Sequence, residues 1–270
     1  MTKDFLTTIV QAKRDRVAAA KKRISESDLY HNFGGGRVKR PFFHNLSVPG
    51  AGGLNIIAEI KRASPSKGPI REDLDPARFA SSYEKGGAAA VSVLTDERFF
   101  NGSLADLRRA RAATTLPVLR KDFIISSYQI HEAYAAGADA VLLIARILDR
   151  EMLKDFMDIC RDIDMDTLVE IHREKDIETA ALAGAELIGI NNRDLSSFKT
   201  DIQTAFRLAA MLAPGQIPVA ASGIRSREDI VRTKKAGIFN FLIGESLVRA
   251  ENTEAFLKSL LGAQAENGAL

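Results

Sequence analysis

The chain has 270 residues, with 38 Lys+Arg against 35 Asp+Glu, a formal net charge of +3, 46 % apolar residues and a single cysteine, Cys160. That balance predicts a soluble globular chain with a sizeable core, and one cysteine excludes an internal disulfide framework, an all-cysteine zinc site and a CxxC redox centre. So small a net charge leaves no nucleic-acid footprint.

The opening residues, Met1-Thr2-Lys3-Asp4, run into mixed polar sequence without a signal-peptide apolar core, which predicts a cytoplasmic protein. Leu6, Ile9, Val10 and Val17 recur at helical spacing, so a leading helix is expected to pack on whatever follows. Its basic residues, Lys13, Arg14, Arg16, Lys21, Lys22 and Arg23, read as a solvated face rather than a nucleic-acid site. Gly34-Gly35-Gly36, Pro41 and the run Pro49 to Gly53 mark connections.

From residue 56 a rhythm sets in. Short apolar runs begin at Ile56, Ala89, Pro117, Ala140, Thr167, Leu187, Ile217 and Asn240, each followed by an amphipathic stretch. The interval suits a strand, a crossover helix and two loops, and the unbroken apolar character suits strands buried on both faces. Asp75-Pro76 reads as an N-cap and first helical residue, Ser226 to Asp229 as a capping box, and Gly86-Gly87, Gly137, Gly184 and Gly237 as helix stops. Eight such units close best as a single α/β domain, a (β/α)8 TIM barrel; the alternative, a doubly wound open sheet, rarely repeats eight units without a Gly-rich nucleotide turn. The expected division is a helical extension at 1–50, the barrel at 51–261 and a frayed tail at 262–270. The longest apolar run, Val141 to Leu148, is broken by Arg146 and far too short to span a membrane.

Chemistry in such a barrel sits at the C-terminal strand ends, where charges interrupt these runs. On the first strand, alternation puts Glu59 and Lys61 on one face, either as a pair that positions an anionic substrate or as a structural ion pair, ahead of a Ser64-Pro65-Ser66-Lys67-Gly68 loop. On the third, Lys121 is either a desolvated proton donor or a lysine snorkelling to solvent. On the fifth, Glu170 is a general base or the ion-pair partner of a barrel lysine, and Lys121 fits that partner. Asn191 and Arg193 end the sixth strand with donors for a carboxylate or hydroxyl. Ser222-Gly223 and Gly244-Glu245 end the seventh and eighth, where barrels commonly hold phosphate on backbone N–H groups. No P-loop or dinucleotide motif is present; His131-Glu132 lacks the second histidine of a zincin; His131 and His172 stand alone.

The run Ile57-Ala58-Glu59-Ile60-Lys61-Arg62-Ala63-Ser64-Pro65-Ser66-Lys67-Gly68 resembles the signature of indole-3-glycerol-phosphate synthases. The resemblance continues through Phe99 to Ser103, Leu119 to Phe123, Val169-Glu170-Ile171, Gly189 to Leu195 and Phe241 to Leu247, and covers residues 3–260. It implies a cofactor-free lyase of tryptophan biosynthesis. The substrate would be 1-(2-carboxyphenylamino)-1-deoxyribulose 5-phosphate, and the products indole-3-glycerol phosphate, carbon dioxide and water. By the same resemblance Lys121 is the general acid, Glu170 the general base, and Lys61, paired with Glu59, the substrate holder or second acid. Ser64, Asn191 and Arg193 would bind polar groups; Phe100, Phe123, Leu142 and Leu195 would line the anthranilate pocket; Ser222, Gly223, Gly244 and the Glu245 amide would hold phosphate. The partner is a phosphorylated small molecule, with no nucleic acid or membrane, and the protein is expected to be a monomer or weak oligomer.

One position departs from the family pattern: Ala221 stands where a glutamate usually precedes Ser-Gly. Reduced or retuned activity is the expectation, and the alternative is a barrel that binds phosphate ligands with weakened or lost turnover. A phosphoribosylanthranilate isomerase, which needs a cysteine–aspartate pair, is disfavoured because Cys160 falls in a helix away from any strand end.

Overall fold

The computed structural model describes residues 5–33, 38–194 and 199–262. Three helices come first: α1 (Phe5–Lys21), α2 (Glu26–Phe33) and α3 (Phe42–Ser47). The alternating part then runs β1 (Asn55–Ile60), α4 (Pro76–Lys85), β2 (Ala90–Leu94), α5 (Glu97–Phe100), α6 (Leu104–Ala112), β3 (Val118–Lys121), α7 (Ser127–Ala135) and β4 (Ala140–Ile144). It continues with α8 (Arg150–Asp162), β5 (Asp166–Ile171), α9 (Glu174–Leu182), β6 (Leu187–Asn191), α10 (Gln203–Ala209), β7 (Ile217–Ala221) and α11 (Arg227–Lys234). β8 (Asn240–Ile243), α12 (Glu245–Arg249) and α13 (Thr253–Leu261) complete it.

Each strand pairs in parallel with its neighbour in sequence, and β8 returns to β1 through Asn55 to Ala58 against Asn240 to Ile243, closing the barrel. Closure removes both sheet edges, and the crossover helices bury the outer face, so β1, β2, β4, β6 and β8 are buried at every residue. The helix signals act as the sequence predicts. The Asp75 side chain accepts from the Ala77 N–H ahead of Pro76, and Ser226 and Asp229 form a reciprocal capping box.

The interior is a column of side chains rather than a channel. Phe42 and Leu46 of α3 plug the N-terminal mouth, where Asp166 Oδ2 accepts the Phe43 N–H at 2.8 Å and Asn240 Nδ2 donates to the Leu46 carbonyl at 3.0 Å. Ile57, Leu119, Leu142, Leu168, Leu187 and Leu242 fill the middle. Leu6 and Ile9 of α1 join the same cluster from the opposite, C-terminal end.

The basic stretch of α1 corrects the expectation of a solvated face. Lys13 is 4 % exposed, and its ammonium sits 2.7 Å from Asp96 and 2.6 Å from Asp122, just beyond the ends of β2 and β3. Arg16 meets Glu132 of α7 at 2.6 Å, and Glu132 also meets the fully buried Arg120 at 3.0 Å. The helix is therefore fastened to the barrel by buried charge as well as by Leu6 and Ile9. Arg14, Lys22 and Arg23 are exposed, as expected. Of the connecting and terminal segments, Gly34-Gly35-Gly36 and the tail from residue 263 lie outside the described residues.

Candidate active site

The strand ends surround a cavity of about 370 Å³ at the C-terminal mouth, a volume suited to a small-molecule ligand. Every sequence-predicted site residue lines it except Leu195, which lies outside the described residues.

The charged groups meet at the centre. Alternation along β1 aims Glu59 inward, and Lys61 one residue past the strand returns to it at 2.6 Å. Lys121, at the end of β3, stands between two carboxylates, 4.0 Å from Glu59 and 3.7 Å from Glu170 of β5. Burial alone would push the Glu59 carboxyl up, but the charges of Lys61 and Lys121 outweigh it and hold the group below the usual range. The close approach of Glu59 to β8 requires a glycine, because a Cβ on Gly244 would meet its carboxylate.

Glu170 is aimed by its neighbours on β6. Asn191 Nδ2 donates to Glu170 Oε1 at 3.2 Å, while Asn191 Oδ1 accepts the Arg193 N–H at 3.0 Å. The Arg193 guanidinium donates to Ser66 Oγ across the mouth and so ties the β1 loop to the β6 end. That loop is a small antiparallel hairpin, Ala63–Ser64 against Gly68–Pro69. It is anchored by Arg62, whose guanidinium grips both oxygens of Asp106 at 2.5 and 3.0 Å.

Opposite the charged cluster lies an apolar wall. Phe100 and Phe123 sit with ring centroids 6.2 Å apart, and Leu142 and Ile144 of β4 extend the surface, with Phe5 and Ile9 of α1 closing it from above. At the far end Ser222 and Gly223 both adopt left-handed backbone, at φ of 68° and 81°. A Cβ on Gly223 would come within 2.6 Å of Thr200 Cγ2. Gly244 opens α12, whose Glu245 and Ser246 also face the cavity, and the buried Ser246 Oγ has no hydrogen-bond partner among the described residues. Ala221, at the end of β7, is 4 % exposed and packs with the interior column.

Several cavity residues were not picked out by sequence reasoning: Phe5, Ile9, Lys67, Arg225, Ser246 and Arg249. Arg225 and Arg249 carry no pattern that separates them from surface arginines. Ile9 belongs to the α1 stripe read as core, which it is, while also roofing the cavity. Cys160 is buried in α8, with its thiol pushed up to about 12 by burial, so it offers no acid–base chemistry. No group of three or more potential metal ligands occurs among the described residues.

Solved structures with the same architecture include 3-hexulose-6-phosphate synthase (TM-score 0.62, 16 % identity, 78 % of this chain and 100 % of that one). Thiamine phosphate pyrophosphorylase from Pyrococcus furiosus is another (TM-score 0.59, 13 % identity, 82 % and 96 %). At such identities they speak for the barrel alone. Sequence relatives are far nearer. Indole-3-glycerol phosphate synthase of Desulfosudis oleivorans is 63 % identical over 96 % of this chain and 98 % of its own. That of Syntrophobacter fumaroxidans is 53 % identical over 97 % and 99 %. The family model described as indole-3-glycerol phosphate synthase matches residues 6–260. The strand-end charges, the closed barrel and these matches agree, and the chain belongs to the indole-3-glycerol phosphate synthase family.

Proposed function

We infer that this barrel closes the indole ring of 1-(2-carboxyphenylamino)-1-deoxyribulose 5-phosphate by general acid–base catalysis, as a decarboxylating lyase. The observation that carries the residue roles is the placement of Lys121 between Glu59 and Glu170, with an apolar wall on one side and the Gly223/Gly244 turns on the other.

In this reading the aromatic ring lies against Phe100, Phe123 and Leu142, and the phosphate reaches the Ser222-Gly223 and Gly244-Glu245 turns. Ser64, Asn191 and Arg193 hold the polar groups between. The ring carbon bearing the carboxylate attacks the ketone carbon, and Lys121 delivers a proton to the carbonyl oxygen, leaving a hydroxyl. Carbon dioxide then departs, and the electron pair of the broken carbon–carbon bond restores the aromatic ring. Glu170 takes a proton from the carbon next to nitrogen, while the hydroxyl leaves as water with a proton from the Lys61–Glu59–Lys121 cluster. Holding the acid and the base in one cavity, on opposite sides of the reacting bond, spares the entropy of bringing them together.

The division of the chain into extension, barrel and tail belongs to the same proposal. So do a cytoplasmic setting and action as a monomer or weak oligomer. Exposed large apolar side chains fall singly along the chain, as at Ile24, Met152, Leu182 and Val231, and no described helix is long and apolar enough to cross a membrane.

The test is incubation with the carboxyphenylamino-deoxyribulose phosphate while indole fluorescence is followed, with Lys121→Ala alongside. Product from the unmodified protein and none from the variant is the expected result. A bound but unconverted substrate in both would overturn the lyase reading and leave a phosphate-binding barrel disabled at Ala221.

A further inference from the structure

His172 follows the last residue of β5, two positions beyond Glu170, with its side chain 4 % exposed. Both ring nitrogens are buried and neither has a hydrogen-bond partner among the described residues. Nε2 lies 3.3 Å from Glu170 Oε1, near enough for a hydrogen bond but out of line for one. Polar groups sealed from water without partners are destabilising, and an apolar side chain of similar size would fill the space without that penalty. An orphaned imidazole aimed at the base calls for a use.

The charged groups around the ring come from four elements. Glu170 shares its strand; Asp176 of α9 accepts the His172 backbone N–H at 2.9 Å; Arg146 projects from the segment after β4; Lys121 stands at the end of β3. Burial outweighs the two carboxylates and keeps the imidazole below its ordinary range, so the ring is neutral near neutral pH, with one nitrogen protonated. Among the described residues Glu170 Oε1 meanwhile has a single donor in hydrogen-bond geometry, Asn191, and a carboxylate oxygen accepts more than one.

We propose that His172 is a positioning residue for Glu170, its Nε2–H closing onto Oε1 as the bound substrate turns the carboxylate into line. Catalytic hydrogen bonds are often misaligned in the empty enzyme and tighten in the substrate complex. A second donor on Oε1 fixes the carboxylate's rotation and favours its ionised form, the form that accepts the proton. The proposal rests on Glu170 being the base.

Three variants and one direct measurement test it. His172→Leu is expected to lower kcat about ten- to a hundredfold with KM little changed. It also moves the acid limb of the kcat profile to higher pH, because a carboxylate that loses a donor binds its proton more tightly. His172→Gln, which keeps an amide N–H, is expected to restore most of kcat and return the limb. An unmoved kcat and limb in His172→Leu overturns the proposal. So does a loss confined to KM, or a glutamine variant as damaged as the leucine one. Glu170→Gln separates the two levels: if it retains turnover, the base assignment itself fails. Should His172→Leu not fold, ¹⁵N-histidine labelling of the unmodified protein decides, since the chain has only four histidines. A protonated Nε2 that shifts when indole-3-glycerol phosphate is added supports the proposal, whereas an unprotonated or unresponsive Nε2 overturns it.

Discussion

Replacing Lys13 by methionine keeps the length of the stem and removes the charge. In the native protein this ammonium stands within 2.7 Å of both Asp96 and Asp122, whose side chains are 3 % and 1 % exposed. Taking the cation away leaves two buried carboxylates. Asp122 retains Arg120 at 3.0 Å and Thr95 at 2.7 Å, whereas Asp96 retains the Phe99 N–H. Removing one partner of a buried pair costs about 3–5 kcal/mol. For a chain of this size that corresponds to a fall in Tm of roughly 10 °C. The pH dependence separates lost charge from lost packing. Burial alone would raise the Asp122 carboxyl, but Lys13 first and Arg120 second hold it well below the carboxylate range. A depressed carboxyl contributes its full stability above its unfolded value, about 3.9, and loses that stability as the pH falls below it. The variant lacks much of this contribution, so the gap in urea midpoint between the two proteins narrows as the pH drops from about 7 to about 3. A loss under about 1 kcal/mol, or a gap that does not change with pH, would refute the reasoning from a buried charge network.

Lys121→Ala is expected to lower kcat by about 10²–10⁴ while the phosphate and aromatic contacts preserve most of the affinity, measured by equilibrium binding of substrate to the inactive variant. Gly244→Ala places a methyl group against the Glu59 carboxylate, so it is expected to break the buried Lys61 pair and to lower both kcat and Tm, read by steady-state kinetics and thermal unfolding. Ala221→Glu restores a carboxylate to the mouth and is expected to raise kcat and KM together; steady-state kinetics unchanged in both would show that the position carries no weight. Cys160 is fully buried with a raised thiol, so reaction with an aromatic disulfide reagent is expected to follow global unfolding, detected as a labelling rate that rises with urea.

The barrel was legible because its strands are buried on both faces. A run such as Ala140 to Ile144 has nothing to alternate against, and a helix follows each run at a regular interval. The candidate cavity was legible for the converse reason: Glu59, Lys61, Lys121 and Glu170, which all line it, stand out because charge at the end of such a run is costly unless something uses it. Lys13 gave a weaker signal. It lies four residues from both Ile9 and Val17, on the buried stripe of α1, yet six basic residues between 13 and 23 look alike without the two aspartates that select it. Those aspartates follow β2 and β3 and meet Lys13 only once the barrel has closed. His172 was passed over for a similar reason. Its burial follows from the turn into α9, which Asp176 creates by accepting the His172 and Arg173 N–H groups, and no local pattern announces that turn as closed to solvent.

The charge balance of the mouth gives Ala221 its meaning. Six cations, Lys61, Lys67, Lys121, Arg193, Arg225 and Arg249, line it together with four carboxylates, Glu59, Asp122, Glu170 and Glu245, and a glutamate at 221 would reduce the surplus of positive charge. The substrate brings a phosphate and a ring carboxylate, and both are drawn to a surplus of positive charge. Attraction that is equal in the ground and transition states lowers KM without raising kcat, and attraction that weakens as the carboxylate becomes neutral carbon dioxide opposes the reaction. Alanine at this position is therefore expected to favour capture over turnover. The packing agrees, since Ala221 both lines the cavity and joins the interior column with a small apolar side chain. An enzyme tuned this way trades maximal rate for affinity, which is why Ala221→Glu is expected to shift kcat and KM in the same direction.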